Sequence, residues 1–177
     1  APQGVVGLVF ASAALLAFLG VWEPAKGDLA LVVYADKLAG GLPTVCKGLT
    51  RHVTTTPIIV GEKWTPEKCA AEEARALAPI QYRLVQCFQV QPPQSVFDAA
   101  TSHAWNQGVS ATCGSLAMVA WNQGNWPLGC RRLQQSDAGK AVWSYVKTGR
   151  TLPNGKPEYK FVQGLANRRT AEHSFCL

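Results

Sequence analysis

The first 22 residues, APQGVVGLVFASAALLAFLGVW, carry no charged side chain, and from Val5 to Val21 the run is interrupted only by Gly and Ser. A transmembrane helix needs about 20 strongly apolar residues, whereas this segment is somewhat short and rich in Gly and Ala. It is therefore a marginal membrane span, which can enter a bilayer and leave it. A cleavable signal peptide and a buried helix of the fold remain alternatives.

The overall composition predicts a single folded domain. The chain has 177 residues, of which 47% are hydrophobic and 16% charged, so it can bury a core and is not intrinsically disordered. The net charge of +6 favours an anionic partner such as a nucleic acid, an acidic membrane surface or a cell-wall polymer. Only Arg131/Arg132 and Arg168/Arg169 form tight basic pairs, so no nucleic-acid partner is expected.

Six cysteines indicate disulfides and hence an oxidising compartment. They are widely spaced and never form a CxxC motif, so a zinc site is poorly supported and disulfide bonds are the better interpretation. This predicts a periplasmic or extracellular protein. Among the many pairings that six cysteines allow, local spacing favours Cys46–Cys69, Cys113–Cys130 and Cys87–Cys176.

The β structure is predicted to be small and to lie before residue 65. LALVVY at 29–34 predicts a strand, Gly40-Gly41 a turn and PTVC at 43–46 a second strand, which together indicate a short hairpin. The β-branched stretch RHVTTTPIIVG at 51–61 is expected to pair nearby.

The rest of the chain is predicted to be mainly helical. Thr65-Pro66 indicates a helix start, Pro79 is expected to kink or split that helix, and Ser95 begins a second helix that ends at Gly108. Further helices are predicted at Ser115–Trp121, Leu128–Val146 and VQGLANRRTAEHSFC, with a turn-rich excursion, TGRTLPNGKPEYKF, before the last. The fold class is therefore α+β, with a small β-hairpin lobe beside a mainly helical lobe.

The hairpin carries a suggestive pair of polar side chains. Asp36 and Thr44 lie on either side of its glycine turn, where an acid and a hydroxyl that point into a common cleft can position a water molecule. The alternative is that Asp36 merely begins the turn and that Thr44 is an ordinary β-branched strand residue. The hairpin residues alone leave both interpretations open.

No metal or cofactor site is predicted. His52, His103 and His173 lie on different elements without metal-ligand spacing, and a thiol nucleophile at Cys46 near His52 is less favoured than a disulfide. Ser115 is interpreted as a helix N-cap rather than a nucleophile. The tryptophans of the helical lobe are expected in its core: Trp105, Trp121, Trp126 and Trp143.

Three motifs resemble those of the phage-type lysozymes, glycoside hydrolase family 24. YADKLAGGLPTVCKGLT at 34–50 is similar to the family's hairpin signature, AWNQG at 104–108 to an N-x-G helix end, and GLANRRTAEHSFC at 164–176 to the closing G-L-x-N-R-R-x-A-E. They occur in the family's order. The resemblance implies a lysozyme-like catalytic domain at residues 23–177, preceded by the apolar helix of residues 1–22.

The resemblance also implies an activity. Members of this family cleave the β-1,4 bond between N-acetylmuramic acid and N-acetylglucosamine in peptidoglycan, with a Glu as general acid and an Asp and a Thr around the attacking water. Carried over by motif, Asp36 is the acid on the hairpin and Thr44 is the threonine, and inversion at the anomeric carbon is expected. Arg168 matches an arginine that lies against the catalytic Glu.

The general acid is the position at which this chain departs from the family. The usual spacing puts the Glu nine positions before the Asp, which here is Gly27, and Asp28 is one position off. We align Glu23, thirteen positions before Asp36, with the family's acid and treat PAKG as an insertion; Asp28 is the alternative. A carboxyl at the end of an apolar helix and beside Trp22 loses hydration, which raises its pKa and keeps it protonated near neutrality.

The apolar segment ends directly at that acid, which resembles the signal-anchor-release endolysins of phages. These proteins are exported with a weak membrane helix and become active when it escapes. The expected partners are peptidoglycan and, transiently through residues 5–21, the inner membrane of a bacterial host. The protein is expected in the periplasm, tethered at first and then soluble, as a monomer. A non-catalytic peptidoglycan-binding module and a cationic membrane-disrupting protein are the rival hypotheses.

Overall fold

The computed structural model describes residues 7–22 and 31–176. They belong to two compact units, an N-terminal unit within residues 9–83 and a C-terminal unit within residues 84–176 together with residues 7 and 8. The N-terminal unit contains α1 (Ala13–Trp22), β1 (Tyr34–Asp36), β2 (Leu42–Thr44) and most of α2 (Pro66–Cys87). The C-terminal unit contains α3 (Gln94–Gln107), α4 (Val109–Cys113), α5 (Leu116–Asn122), α6 (Trp126–Gln134), β3 (Tyr145–Thr151), β4 (Pro157–Phe161) and α7 (Gln163–Cys176). The predicted α+β class is confirmed.

Helix α1 is short and only partly buried. The Ser12 hydroxyl caps it by accepting the Leu15 N–H at 3.1 Å. Leu15 and Leu19 are buried, and just before the helix the Ala11 N–H donates to the Oε1 of Gln81 in α2 at 2.7 Å. The apolar N-terminal segment is therefore attached to α2 in this folded state. Within residues 7–22 and 31–176, no helix combines the length and hydropathy that crossing a bilayer requires.

The first hairpin begins later in the chain than predicted. β1 and β2 pair antiparallel across a turn at Gly40 and Gly41, whose φ angles are +67° and +83°. Glycine adopts this left-handed conformation without steric cost, which confirms the predicted turn. The strand predicted at 29–34 meets the observed strand only at Tyr34, and residues 29 and 30 lie outside the described residues.

Of residues 51–61, only the last pairs nearby as predicted: the Gly61 N–H donates to the Val33 carbonyl at 2.9 Å, and the rest of the stretch forms no strand. This stretch forms turns and bends. The Thr50 hydroxyl accepts the His52 N–H at 3.3 Å, and the Thr54 hydroxyl accepts the Thr56 N–H at 3.1 Å. Such local bonds compete with a strand ladder and favour turns, so they override the β propensity of the branched side chains.

Helix α2 begins at the predicted start, and the split predicted at Pro79 does not occur. The Thr65 hydroxyl accepts the Lys68 N–H at 3.1 Å, and the helix runs through Pro79 to Cys87 without a break. A proline ring removes the hydrogen bond to the carbonyl four residues earlier, here that of Arg75. Both residues are exposed, so water can satisfy that carbonyl and the helix does not split.

Several helix ends in the C-terminal unit follow the predicted signals. Gly108 ends α3 with a φ of +97°, and the Ser115 hydroxyl caps α5 by accepting a backbone N–H. Ser95, in contrast, is not a cap. It lies inside α3, where its hydroxyl donates to the Cys176 carbonyl at 2.8 Å.

The helix predicted at Leu128–Val146 is wrong in its second half. Helix α6 ends at Gln134, and the chain turns at Gly139 before it enters β3. TGRTLPNGKPEYKF forms most of a second antiparallel hairpin, whose turn contains Gly155 at a φ of +80°. Glycine turns at 139 and 155 precede and close this hairpin, so β structure is not confined to the residues before 65.

Helices α5 and α6 approach each other closely at a glycine. A Cβ at Gly129 would lie 2.2 Å from the Trp121 ring, so a larger residue there would displace the indole. Trp121 is fully buried, as predicted. Trp105, Trp126 and Trp143 are only half-buried, so the prediction that they lie in the core is wrong.

Of the predicted disulfides, Cys46–Cys69 is confirmed. The structure joins Cys87 to Cys113 and Cys130 to Cys176, so the predicted pairs Cys113–Cys130 and Cys87–Cys176 are wrong. The pairing of the cysteines depends on which of them are close in space, and not on which are close in the sequence. Helix α7 returns along α6, which brings together two cysteines that are 46 positions apart.

His103 is a buried titratable residue of the C-terminal unit. Its Nδ1 lies 2.8 Å from the Oγ1 of Thr112, which itself donates to the Gly108 carbonyl. The Nδ1–H must therefore donate, and Nε2 is the bare nitrogen, which has no hydrogen-bond partner among the described residues. Burial, followed by the positive charges of Arg169 and Arg168, holds the pKa of His103 well below its ordinary value of 6.5.

We expect acid to destabilise the protein through His103. Below about pH 6.5 the unfolded chain binds a proton on this ring and the folded chain does not, so the free energy of unfolding should fall by about 1.4 kcal/mol per pH unit. Urea unfolding at a series of pH values measures this slope. His103→Gln should flatten it, and the exposed His52→Gln should not. Equal slopes for the wild type and His103→Gln would contradict the assignment.

Candidate active site

The first hairpin places Asp36 and Thr44 on one face. Asp36 lies opposite Leu42, and Thr44 lies opposite Tyr34. Cross-strand partners share a face, as do alternate residues along a strand. Asp36 and Thr44 are therefore diagonal neighbours, about 7–8 Å apart, so the structure brings these two predicted site residues together.

Asp36 also begins the turn, as the alternative interpretation predicts. Its Oδ1 accepts the Leu38 N–H at 2.9 Å and caps the 3-10 turn Lys37–Ala39, while its carbonyl accepts the Gly41 N–H at 2.7 Å. These bonds fix the carboxyl group. Its Oδ2 accepts no hydrogen bond from the described residues, and the side chain is partly exposed. One oxygen therefore stays available to a water molecule or a ligand.

Thr44 offers a second acceptor on the same face. It is only 3% exposed, and its hydroxyl donates to the Leu42 carbonyl at 3.0 Å. Because its proton is committed to that bond, Oγ1 can only accept from a further group. A water molecule that donates one hydrogen to Asp36 and the other to Thr44 would keep a lone pair free, which is what a nucleophile activated by a general base requires.

The predicted general acid lies outside the described residues. This holds for Glu23, for the alternative Asp28 and for Gly27. The preceding residue, Trp22, ends α1, and its ring centroid lies 6.3 Å from that of Phe18. In the sequence, position 23 therefore directly follows the aromatic end of this helix. The assignment of the acid to Glu23 stays a prediction.

The segment that follows Thr44 is fastened to α2. Cys46 is bonded to Cys69, the Lys47 N–H donates to the Oε1 of Glu73 at 2.9 Å, and the Lys47 Nζ lies 3.7 Å from Oε2. Cys46 has a φ of +58°, a conformation that residues other than glycine rarely adopt. Two strands of this length are not stable alone, so these contacts hold Thr44 in position.

Glu73 was not recognised in the sequence as a residue that supports the site. Its pKa is raised because burial outweighs the Lys47 hydrogen bond and charge, which lower it. The sequence nevertheless contains a pattern that indicates this role. Glu73 follows Cys69 by four positions and precedes Ala76 and Leu77 by three and four, and all three are buried. An acid on the apolar stripe of a helix indicates a specific buried partner.

In the C-terminal unit, Arg168 belongs to a buried ionic cluster. Its Nε lies 3.3 Å from the Oε1 of Glu172, and its Nη2 lies 3.4 Å from the Ser102 carbonyl and hydroxyl oxygens. The Nε of Arg169 lies 2.8 Å from the Oε2 of Glu172, and the Ser102 hydroxyl donates to Oε1 at 2.7 Å. One carboxylate thus pairs with two guanidinium groups.

Glu172 orients Arg168 within this cluster. Glu172 is fully buried and Arg168 is 6% exposed, and charges so buried require partners. The spacing in RRTAE, which puts the Glu three and four positions after the two arginines, is the signal that identifies it. The contact predicted between Arg168 and the catalytic Glu stays a prediction, because Glu23 is not described.

Comparison with known proteins identifies a family. The family model named Phage lysozyme matches residues 27–172, whereas no curated protein gives a significant match. Among solved structures, the chain is similar to an endolysin from Escherichia coli O157:H7 phage FAHEc1, at 24% identity over 97% of this chain and 95% of that one, with a TM-score of 0.70.

Two further solved structures are similar. The muramidase domain of SpmX from Asticaccaulis excentricus shares 22% identity over 94% of this chain and 96% of that one, with a TM-score of 0.68. A mutant of P22 lysozyme shares 21% identity over 95% and 98% of the two chains, with a TM-score of 0.67. These likenesses confirm the predicted lysozyme-like fold.

Replacing Glu73 with Gln should stabilise the protein at neutral pH. Gln keeps an oxygen for the Lys47 N–H but cannot ionise. Because the folded-state pKa of Glu73 is raised, the folded wild type retains a proton that the unfolded chain loses as pH rises above 4.5. The stability of the wild type should therefore fall relative to Glu73→Gln as pH rises through that window.

Thermal melts of the two proteins across this pH range measure the difference. Glu67→Gln removes an exposed acid from the same helix and should open no such gap. If the wild type instead becomes more stable relative to Glu73→Gln as pH rises, burial does not govern the pKa of this carboxyl.

Proposed function

The chain belongs to the phage lysozyme family, and from that premise we propose that it hydrolyses the β-1,4 bond between N-acetylmuramic acid and N-acetylglucosamine in peptidoglycan. The family match over residues 27–172 supports the class of reaction. The observation on which the proposal rests is that Asp36 and Thr44 share one face of the first hairpin, each with an oxygen able to accept from the same water molecule.

In this mechanism water is the nucleophile. It donates one hydrogen bond to Asp36 and one to Thr44, which directs its lone pair towards the anomeric carbon. As the water oxygen bonds to that carbon, the bond to the leaving sugar oxygen breaks and Asp36 takes up a proton from the water. The attack comes from the face opposite the leaving group, so the configuration is inverted.

The leaving oxygen needs a proton, and Glu23 is the proposed donor. Position 23 directly follows the apolar helix α1 and its terminal Trp22. A carboxyl in such surroundings is poorly hydrated, which raises its pKa and keeps it protonated near neutrality. The proposed role of Arg168 as the partner of this acid rests on the family resemblance.

Substitutions at the three site residues test the mechanism. Glu23→Gln and Asp36→Asn should each slow the hydrolysis of purified cell-wall sacculi by about 100-fold or more, because each removes a proton-transfer group. Thr44→Val should cost roughly 10-fold, since it leaves Asp36 to hold the water alone. The release of reducing ends measures the rate, and melting temperatures verify that each variant folds.

The control for the acid is Asp28→Asn, which should remain active. An inactive Asp28→Asn together with a fully active Glu23→Gln would move the acid to Asp28. A wild-type protein that binds sacculi without releasing reducing ends would instead identify a non-catalytic peptidoglycan-binding module, the rival that the Gly27 departure suggests.

We also propose that residues 5–21 tether the exported protein to the inner membrane until the segment is released. Its uncharged sequence supports this. So does the limited burial of α1, in which Leu15 and Leu19 are the buried residues, while Val9 before it and Val21 within it are 58% and 59% exposed. A helix that buries so little apolar area in the protein loses little by moving it into lipid.

Two lysines on α1 test the tether. Ala14 and Ala17 are exposed in the folded protein, so Ala14→Lys/Ala17→Lys should keep its wall-cleaving activity once soluble. Each lysine opposes insertion at the bilayer centre by roughly 2.5–3.5 kcal/mol, so the variant should be lost from the inner-membrane fraction of expressing cells. Ala138→Lys, in an exposed turn, is the control. Unchanged membrane association of the lysine variant would rule out the tether. Equal wild-type activity in the membrane and soluble fractions would rule out that the tether controls activity.

A further inference from the structure

The second hairpin presents aromatic rings to solvent on one face. Tyr145 lies opposite Phe161, and Lys147 lies opposite Tyr159, so these four side chains share a face. The rings of Tyr145, Phe161 and Tyr159 are 44%, 42% and 55% exposed. Tyr145 and Phe161 meet edge to face, with 5.6 Å between their centroids, and Tyr159 follows about 7 Å along the strand. Together they form an apolar platform.

This aromatic platform is held in a fixed orientation. Among the described residues, β3 and β4 contact each other extensively, and neither strand contacts a helix to a similar extent. At the base of the hairpin the Val162 N–H donates to the carbonyl of the fully buried Ser144 at 2.8 Å. On the opposite face, Val146 and Glu158 are half-buried. The hairpin is thus tied to its unit at the base, and its aromatic face is open to solvent.

The same hairpin concentrates positive charge. Residues 145–161 contain four basic side chains and one acid, Glu158, so they carry +3 of the chain's net +6. All four cations are exposed, and none forms an ion pair among the described residues. Glu158 accepts the Thr148 hydroxyl at 2.6 Å instead. The cations are Lys147, Arg150, Lys156 and Lys160. A partner with carboxylates would relieve their mutual repulsion.

We propose that this face binds the cell-wall polymer at a second place, on a different unit from Asp36 and Thr44. The rings stack against the apolar faces of sugar residues, and the cations pair with carboxylates of the peptide substituents. That the polymer is peptidoglycan rests on the proposed function. The surface would hold the enzyme on an insoluble substrate between cleavage events, and so it should matter for long glycan strands and not for short fragments.

The placement of the rings favours a polymer over a bilayer. Tyr145, Tyr159 and Phe161 lie towards the base of the hairpin, whereas the turn at 152–155 contains the exposed Leu152 and Asn154 but no aromatic residue, and Lys156 follows it. A hairpin that enters a membrane interface needs its aromatic residues where it meets the lipid. A strand of polymer that lies across the sheet reaches the rings and Lys147 together.

Two variants separate the rings from the charge. Tyr159→Thr/Phe161→Thr removes two of the three rings and keeps β propensity, and Lys147→Gln removes the cation that shares their face. Tyr82→Ser/Lys140→Gln, which changes an exposed aromatic residue and an exposed cation outside the hairpin, is the matched control. All are made in the full chain and must melt at the wild-type temperature.

Binding is measured by co-sedimentation with purified sacculi, in an Asp36→Asn background that prevents digestion. Both hairpin variants should bind about 10-fold more weakly than the control, and the loss in the lysine variant should shrink as salt is raised. With Asp36 restored, both should digest sacculi with a higher KM but cleave short soluble glycan fragments at the rate of the control.

Sacculus binding equal to that of the control would overturn the proposal. So would a loss of binding that appears only with vesicles of phosphatidylcholine and phosphatidylglycerol, which would assign the hairpin to a membrane. Failure of the proposed function has a different signature. In that case the protein with Asp36 intact would leave sacculi undigested, while the hairpin variants would still lose their affinity for them.

Discussion

The attachment of the first hairpin to α2 is the contact on which the candidate site depends. Strands of three residues cannot hold a hairpin together in water. The Cys46–Cys69 bond and the Lys47–Glu73 contacts supply the missing constraint. The positions of Asp36 and Thr44 are thus governed by a helix that begins after them in the sequence, and the buried carboxyl of Glu73 is part of the cost of that arrangement.

The C-terminal unit uses charge for a comparable purpose. Glu172 on α7 pairs with Arg168 and Arg169 and accepts from Ser102 on α3, so two helices meet at one buried carboxylate. Removing Glu172 would leave two buried guanidinium groups without their counter-charge. Burial, and after it the charges of the same guanidinium groups, lowers the pKa of His103, so the acid sensitivity of the unit is linked to the cluster that holds it together.

Features encoded by neighbouring residues were predictable from the sequence. The caps at Thr65 and Ser115 and the glycine turn of the first hairpin depend on contacts within a few positions, and Asp36 and Thr44 belong to one continuous motif. Two disulfides were missed because they depend on how distant segments return to one another. The second hairpin was missed although its strands are neighbours in the sequence, because its glycine turn was interpreted as part of a loop. Glu73 and Glu172 were missed for a related reason, since an acid becomes structurally important through burial, which composition does not reveal.

The disulfide two positions beyond Thr44 links the shape of the hairpin to the chemistry of its surroundings. Disulfides persist where thiols are oxidised. In a reducing compartment the Lys47–Glu73 contacts and the Val45–Leu49 backbone pair would be left to hold the left-handed backbone at Cys46. The part of the chain that carries Asp36 and Thr44 is therefore locked covalently only after the protein has left such a compartment. The final rigidity of this hairpin depends on the location of the molecule as well as on its sequence.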